Sequence, residues 1–289
     1  VYVTITGLYF YPIKSCEGIP LQQATIGNKG IAGDREWIIV DEAGTFVSQR
    51  SLPRMSLLQA ESGPDGITLR LRDQKLNLPA CEVKHPRLSA QSIETHIWKD
   101  HAPALLAAEE VNQWLTKALH ADKQLKLAYF DKRGSRLPGK PERFGANASF
   151  FADAAPFLIC NALSLHALNL SLRLQELPEV DIRHFRPNIV FSGLPGFAEQ
   201  HVVSLSHKQS GLSFKLVDPC QRCSVITIDP DTAQRLPDAV PFGQLTAINP
   251  MPSNPKAPAF GMNAVVSGVT TQKVLKLGDQ LKVEIKYRS

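Results

Sequence analysis

The feature that most limits what this chain can fold into is its punctuation: 21 prolines and 18 glycines cut 289 residues into short runs. Proline removes an amide donor and clashes with the preceding helical turn, so long unbroken helices are disfavoured. Many of the runs between these breaks alternate apolar and polar residues with the two-residue period of half-buried strands. Residues 1–11 alternate in this way. Residues 35–40 and 45–50 are two extended runs around Asp41-Glu-Ala-Gly44, which predicts a hairpin with glycine late in its loop. Further strands are expected at 66–71, 93–99 and 124–129. The clearest helix covers 106–119, where Leu106, Val111, Trp114, Leu115 and Ala118 fall largely on one face. A long loop rich in Arg, Gly and Pro follows at 131–148, and the domain seam is expected near it.

Beyond the loop, 157–160 reads as a short buried strand. Residues 165–174 read as a leucine-rich helix with Ser164 as its cap and His166 as a surface or packing residue. Strands are expected at 188–192, 213–217 and 224–228, the last closed by the turn Asp229-Pro-Asp-Thr232. Leu277-Gly-Asp-Gln at the far end leads into an alternating strand to Lys286. The pattern predicts a β-rich α+β protein in two parts, 1–130 and 131–289, the second barrel-like.

The composition, 43% hydrophobic and 20% charged, is that of a globular chain rather than a disordered one. The net charge of +5 is spread without a dense basic tract, so nucleic acid is not an expected partner. No basic region followed by an apolar core opens the chain, and no apolar stretch approaches the ~20 residues of a membrane helix. With five cysteines and no disulfide-like spacing, a reducing, cytoplasmic setting off the membrane is expected.

Cys220 and Cys223 form one CxxC, in Val217-Asp-Pro-Cys-Gln-Arg-Cys-Ser-Val-Ile-Thr-Ile228. Four readings stay open. Structural zinc needs further ligands, and no second CxxC exists. A redox pair normally sits at a helix N-terminus, whereas a strand is expected directly after Cys223. A single thiolate suits a redox-active transition metal, and the neighbouring Arg222 favours the thiolate over the thiol. The last reading is two small packing residues beside a turn.

The candidate anion-binding residues lie on loops next to strands. Lys14 and Ser15 follow the first strand and can hold a phosphate or pterin group, or simply form a solvated loop. Gly33 permits a positive φ before Arg35, which can point inward to an anion. Asp34 between them has the alternative role of a turn former. In His184-Phe-Arg186-Pro-Asn188, the arginine and asparagine can frame a polar heterocycle. Each of these has a structural alternative. No phosphate-cradling glycine motif is present, so a dinucleotide or P-loop site is not indicated.

Six segments in order carry a family resemblance: Tyr11-Pro-Ile-Lys-Ser-Cys16, Gly33-Asp-Arg-Glu-Trp37, Phe151-Ala-Asp-Ala-Ala-Pro156, Phe185-Arg-Pro-Asn-Ile189, Pro219-Cys-Gln-Arg-Cys223 and Thr227-Ile-Asp-Pro230. Together they resemble the MOSC family with its N-terminal β-barrel domain, and within it the YcbX-type bacterial proteins and mitochondrial amidoxime-reducing components. The resemblance implies a MOSC-type β-barrel with a smaller N-terminal β/α domain. It implies a molybdenum cofactor of the dioxo molybdopterin type, with Cys223 rather than Cys220 as the metal's thiolate ligand. Lys14, Ser15, Arg35, Arg186, Asn188 and Arg222 match positions that hold the pterin and its phosphate, and Asp153 matches a loop at the site. The implied activity is reduction of N-hydroxylated compounds by oxygen-atom transfer. The alternative is a MOSC protein that carries cofactor or sulfur without this activity. YcbX-type relatives carry a C-terminal [2Fe–2S] domain, and this chain stops at Tyr287-Arg-Ser289. The expectation is therefore an external electron donor, or such a domain removed from this chain.

Overall fold

The alternation at the start builds a strand, Tyr2–Phe10, whose Val3 and Ile5 point into a core. At Ile5–Gly7 the register with its neighbour shifts by a bulge, and the buried set moves to Leu8 and Phe10. A bulge adds one residue and so flips the face. This strand lies between Ile189–Ser192 and Gln280–Ile285. The sheet continues through Val202–His207, Leu212–Gln221 and Asn254–Ser267. Phe157–Asn161 pairs with both Asn254–Ser267 and Ile189–Ser192, which closes a seven-stranded barrel. Closure leaves no edge among these strands. The barrel is filled by Ile5, Leu8, Ile159, Phe191 and the edge-to-face pair Phe157–Phe214. These findings bear out the expected β-rich fold with a MOSC-type barrel. The structure, a computed structural model, describes residues 1–73, 75–136, 141–144, 149–269 and 271–285.

The helix Ala162–Arg173 makes the crossover between parallel strands Phe157–Asn161 and Ile189–Ser192. Its Leu168 and Leu172 pack outside the barrel with Phe185, Leu245 and Phe260. The smaller accessory part is a four-stranded sheet, Trp37–Val40, Lys126–Phe130, Asp100–Leu106 and Ser92–Ile97, beside a three-stranded one, Leu58–Gly63, Gly66–Leu71 and Cys81–Lys84. The helix Glu109–Ala118 packs Val111 and Leu115 against Trp37, Leu69 and Leu127. A third small sheet pairs Gln23–Gly27 with Lys273–Lys276, so both ends of the chain share structure. No helix among the described residues is long and apolar enough to cross a membrane.

Several expected elements differ. Residues 45–50 make only isolated bridges, Val40 with Phe46 and Thr45 with His96, before the chain turns. The Gln49 amide is drawn instead to the Ser15 carbonyl, 2.9 Å away. Residues 224–228 hold a 3₁₀ turn, Ser224–Thr227, in place of a strand. The Thr227 hydroxyl donates to the Ser224 carbonyl at 2.8 Å, a local bond that competes with sheet pairing. Ser164 is not a cap: the helix starts earlier, and the Asn161 side chain accepts the Leu163 amide. The Ser164 hydroxyl binds the buried Glu199 carboxylate instead. Leu106 ends the strand Asp100–Leu106 and is not part of the helix. Of the long 131–148 loop, one helical turn, Pro141–Phe144, is described, and 137–140 and 145–148 lie outside the described residues, as does Lys286.

Candidate active site

Leaving the barrel after Phe10, the chain crosses to the accessory sheet, where Ile13 bridges Trp37 and the Lys14 amide donates to the Trp37 carbonyl at 2.8 Å. The Lys14 side chain is buried, and its Nζ donates to the Phe151 carbonyl at 2.9 Å and to Asp153 Oδ1 at 2.7 Å. Burial pulls the ammonium down to about 8, against the pull of the Asp153 charge. Asp153 is itself exposed and also accepts the Trp98 indole N–H at 2.8 Å. Desolvation disfavours its charge, but Lys14 and Trp98 outweigh that and hold the carboxyl well below the usual range.

Arg35 follows Gly33 and Asp34 at φ 51°, a left-handed turn that sends its guanidinium back toward the barrel. It pairs with Asp34 at 2.5 Å, donates to Asn188 Oδ1 at 3.2 Å and to the Arg186 carbonyl at 3.4 Å. Asp34 is more than a turn former, because its buried carboxylate also accepts the Tyr11 amide at 2.8 Å. Asn188 is fully buried and already engaged: Oδ1 also accepts the Leu158 amide, and Nδ2 donates to the Tyr9 carbonyl. Its present role is to aim Arg35 and tie two barrel strands together. Arg186, left-handed at φ 56°, donates through Nη1 to the Cys16 carbonyl at 2.6 Å. The Arg35 and Arg186 guanidinium carbons each lie 4.3 Å from the Tyr11 ring centroid, a cation–π arrangement.

The cysteine pair is delivered by the bulged end of strand Leu212–Gln221, whose register with Asn254–Ser267 shifts at Pro219/Gln221. The Arg222 amide then donates to the Pro258 carbonyl. Its guanidinium donates to the Phe185 carbonyl at 2.8 Å and to Cys220 Sγ at 3.1 Å. Burial works to lower the Arg222 pKa, but the sulfurs of Cys220, Cys160 and Cys223 raise it on balance, so the guanidinium stays charged. Cys223 is the one exposed cysteine, whereas Cys16 and Cys160 are buried and Cys81 and Cys220 half-buried.

Between barrel and accessory part lies a cleft lined by Tyr11, Glu17, Ser56, His184, Arg186 and Val225. Among the described residues, seven buried side-chain polar atoms have no hydrogen-bond partner, and four of them line this cleft: Glu17 Oε2, Ser56 Oγ, His184 Nε2 and Arg186 Nη2. Buried polar groups are normally paired, so such a cluster marks a place where a water or a polar ligand group is held. Glu17 has Arg72 Nε at 3.5 Å as its nearest ion-pair partner, and burial raises its carboxyl pKa.

Direct contacts join most of the expected residues. Phe151 links Lys14 to Arg35, since its amide donates to the Arg35 carbonyl at 3.0 Å. Arg35 links to Asn188 and Arg186, and Arg222 reaches the same loop at Phe185. Ser15 sits at φ 64° in the turn that presents the Cys16 carbonyl to Arg186. Cys223 joins the set through its neighbour Arg222 and not through a bond of its own sulfur.

Residues 2–122 match the pattern described as the MOSC N-terminal beta barrel domain, and residues 147–282 match the MOSC domain. The chain belongs to the MOSC family. This MOSC protein is 30% identical over 242 residues to human Mitochondrial amidoxime-reducing component 1, covering 79% of the chain and 67% of that protein. The Xenopus laevis counterpart is 27% identical over 288 residues, covering 95% and 80%. Human Molybdenum cofactor sulfurase is 28% identical over 250 residues, covering 80% of the chain but 27% of that protein, so the chain spans about a quarter of it. The family link is thus to proteins associated with the molybdenum cofactor.

Within this MOSC protein, sequence reasoning missed Glu17, Gln49, Ser56 and Trp98. Only Glu17 had a signal, its place directly after Lys14-Ser-Cys16. The others come from segments whose role depends on long-range packing.

Proposed function

We propose that this MOSC protein is a molybdenum-cofactor-dependent oxidoreductase that reduces N-hydroxylated compounds by oxygen-atom transfer. Cys223 is the thiolate ligand to the metal in this reading. The observation that carries it is one exposed cysteine, Cys223, two residues before Val225 of a cleft where buried polar atoms lie unpaired. The name of the amidoxime-reducing relatives supports the substrate class, since an amidoxime carries an N–OH group.

The residues fit such a cofactor. Four cations, Lys14, Arg35, Arg186 and Arg222, stand against three carboxylates, Asp34, Asp153 and Glu17, in the contacts described above. The excess of positive charge suits a phosphate monoester, which carries about −1.5 to −2 near neutral pH. Arg186 Nη2 and Arg222 Nε are buried donors without partners. Glu17 and His184 offer the complementary acceptor and ring nitrogen that a pterin edge requires. When bound, the cofactor supplies the two-electron chemistry that takes oxygen from the N–OH group.

The chain's own work is to bind and orient. Lys14, Arg35 and Arg186 hold the phosphate, and Asn188 keeps Arg35 aimed. Ser15 shapes the turn beside them. Arg222 stays charged beside the cysteine pair. Asp153 fixes the Lys14 ammonium from the solvent side. Electrons reach the site from a separate donor or a [2Fe–2S] partner domain.

The likeness to Molybdenum cofactor sulfurase favours a second reading, a carrier of cofactor or sulfur without reductase activity. One experiment separates them. The protein is loaded with molybdenum cofactor, its metal and oxidised-pterin fluorescence are measured, and it is given an amidoxime with an artificial electron donor. Turnover that is lost in a folded Cys223→Ala variant and largely kept in Cys220→Ala is the expected result. Wild-type turnover in Cys223→Ala overturns the ligand assignment, and full loading without turnover in the wild type means carriage.

A further inference from the structure

A second site lies away from the cysteines, on the hairpin Ser92–Ile97 and Asp100–Leu106 of the accessory sheet. We propose that Glu94, His96 and His101 form a divalent metal site of the zinc type on its solvent face. Successive residues of a strand point to opposite faces. Thr95 and Ile97 are therefore buried in the core, while Glu94 and His96 share the outer face. The antiparallel register sets His101 directly opposite His96, so all three side chains meet on one patch. A hairpin anchored through its inner face holds these ligands ready for an ion.

The donor spacing suits a cation. His101 Nδ1 lies 3.1 Å from His96 Nδ1 and 3.0 Å from Glu94 Oε1. All three donor atoms fall within 4.8 Å of one another. Metal bonds of about 2.1 Å put neighbouring ligand atoms about 3.0–3.4 Å apart, from octahedral to tetrahedral angles. A ring nitrogen carries at most one proton, so one proton at His101 Nδ1 or His96 Nδ1 cannot make full hydrogen bonds across both short contacts. A cation accepts all three lone pairs at once. Two imidazoles and a carboxylate are borderline ligands that suit Zn²⁺ and its neighbours, and three protein ligands leave an open position.

The surroundings keep the site narrow. The chain at 44–46 is laced to the hairpin: the His96 amide donates to the Gly44 carbonyl at 2.8 Å, and the Phe46 amide to the His96 carbonyl at 3.0 Å. A Cβ on Gly44 would meet the Glu94 carbonyl oxygen at 2.8 Å, so only glycine permits this approach. Two residues past His96 the hairpin turns at Trp98, whose indole donates to Asp153. An ion on the hairpin therefore stiffens the element that steadies the Lys14–Asp153 pair.

The test uses the full chain. Zn²⁺ titrated by calorimetry into a Cys220→Ser, Cys223→Ser background, which removes binding by the exposed thiols, should fill one site. His96→Ala and His101→Ala should each weaken binding at least tenfold. Their substitutions lie on an outer face, so circular dichroism should show an unchanged fold, and Glu94→Gln gives a milder independent variant. Hydrogen exchange should slow across 92–101 when Zn²⁺ is added to the wild type. Unchanged Zn²⁺ affinity in the folded double variant His96→Ala, His101→Ala overturns the site, as does the absence of zinc binding in the background without Cys220 and Cys223.

Discussion

The Lys14 ammonium and the Asp153 carboxylate form a 2.7 Å ion pair of unequal partners, the lysine side chain 4% exposed and the aspartate 66%. The asymmetry governs how the site responds to pH. Burial brings Lys14 down to about 8, so its charge is present below that pH and lost above it. A phosphate ligand prefers the charged form. Affinity for molybdopterin, or for inorganic phosphate as a simpler probe, should therefore rise as the phosphate takes its second charge at about pH 6–7 and fall above pH 8, by up to about tenfold per unit. Lys14→Met should bind weakly at every pH with no such limb. Asp153→Asn removes the charge that props the ammonium up, so the limb should move to lower pH. A limb that stays in place in Lys14→Met means another group carries it.

Thiol chemistry separates the five cysteines. Burial pushes Cys16 up to about 12 and Cys160 well above the ordinary thiol range. Cys223 is exposed next to a charged guanidinium. A short pulse of alkylating reagent, read by mass spectrometry, should label Cys223 first and Cys220 next. Cys16 and Cys160 should label only when the chain unfolds. Loading with molybdenum cofactor should protect Cys223 at least tenfold. Equal labelling of Cys223 in loaded and cofactor-free protein would contradict its role as ligand.

Strands with a clean two-residue period were legible in the sequence, as Tyr2–Phe10 and Gly66–Leu71 illustrate. The longest strand, Asn254–Ser267, was not, because Pro255, Pro258 and Gly261 read as breakers. In the barrel these residues occupy a bulged stretch where the ladder already loosens, with register shifts against Leu212–Gln221. The turn at Ser224–Thr227 was missed for the opposite reason: its β-branched run looks extended, and a local hydroxyl bond decides otherwise. The basic residues of the site were legible one by one. Their pairing with Asp34 and Asp153, and the unpaired atoms of Glu17 and Ser56, depend on contacts between segments far apart in the chain, which no local pattern encodes.

Gly261 tests how the barrel supports the cysteine loop. It holds φ 74°, and a Cβ there would meet Cys160 Sγ at 2.5 Å and the Ile159 carbonyl oxygen at 3.0 Å. Left-handed strain and overpacking each cost about 1–3 kcal/mol, so Gly261→Ala should destabilise by about 2–5 kcal/mol in chemical denaturation. Gly243, with open space around its Cβ position, is the control, and Gly243→Ala in the helix Phe242–Ile248 should be neutral or stabilising. A Gly261→Ala loss under about 0.5 kcal/mol would mean the strand can slide to relieve the contact.

Glu17 gives the sharpest test of the cleft as a cofactor site. The Glu17 carboxylate is partly buried, with a hydrogen bond from the Gln59 side chain, and its Oε2 has no hydrogen bond and only a long ion pair to Arg72 at 3.5 Å. A buried oxygen left without a hydrogen bond works against stability unless a ligand donates to it. The amino and ring N–H groups of a pterin are such donors. Glu17→Gln keeps the shape, removes the charge and weakens the acceptor, so pterin content after purification should fall about tenfold or more, the scale of one hydrogen bond to a charged group. Thermal stability of the cofactor-free protein should hold or rise, because the poorly paired charge is gone. The two effects in opposite directions distinguish a ligand-binding residue from a structural one. A structural carboxylate would lower stability when replaced and leave pterin retention per folded molecule unchanged, and that pattern would remove Glu17 from the site.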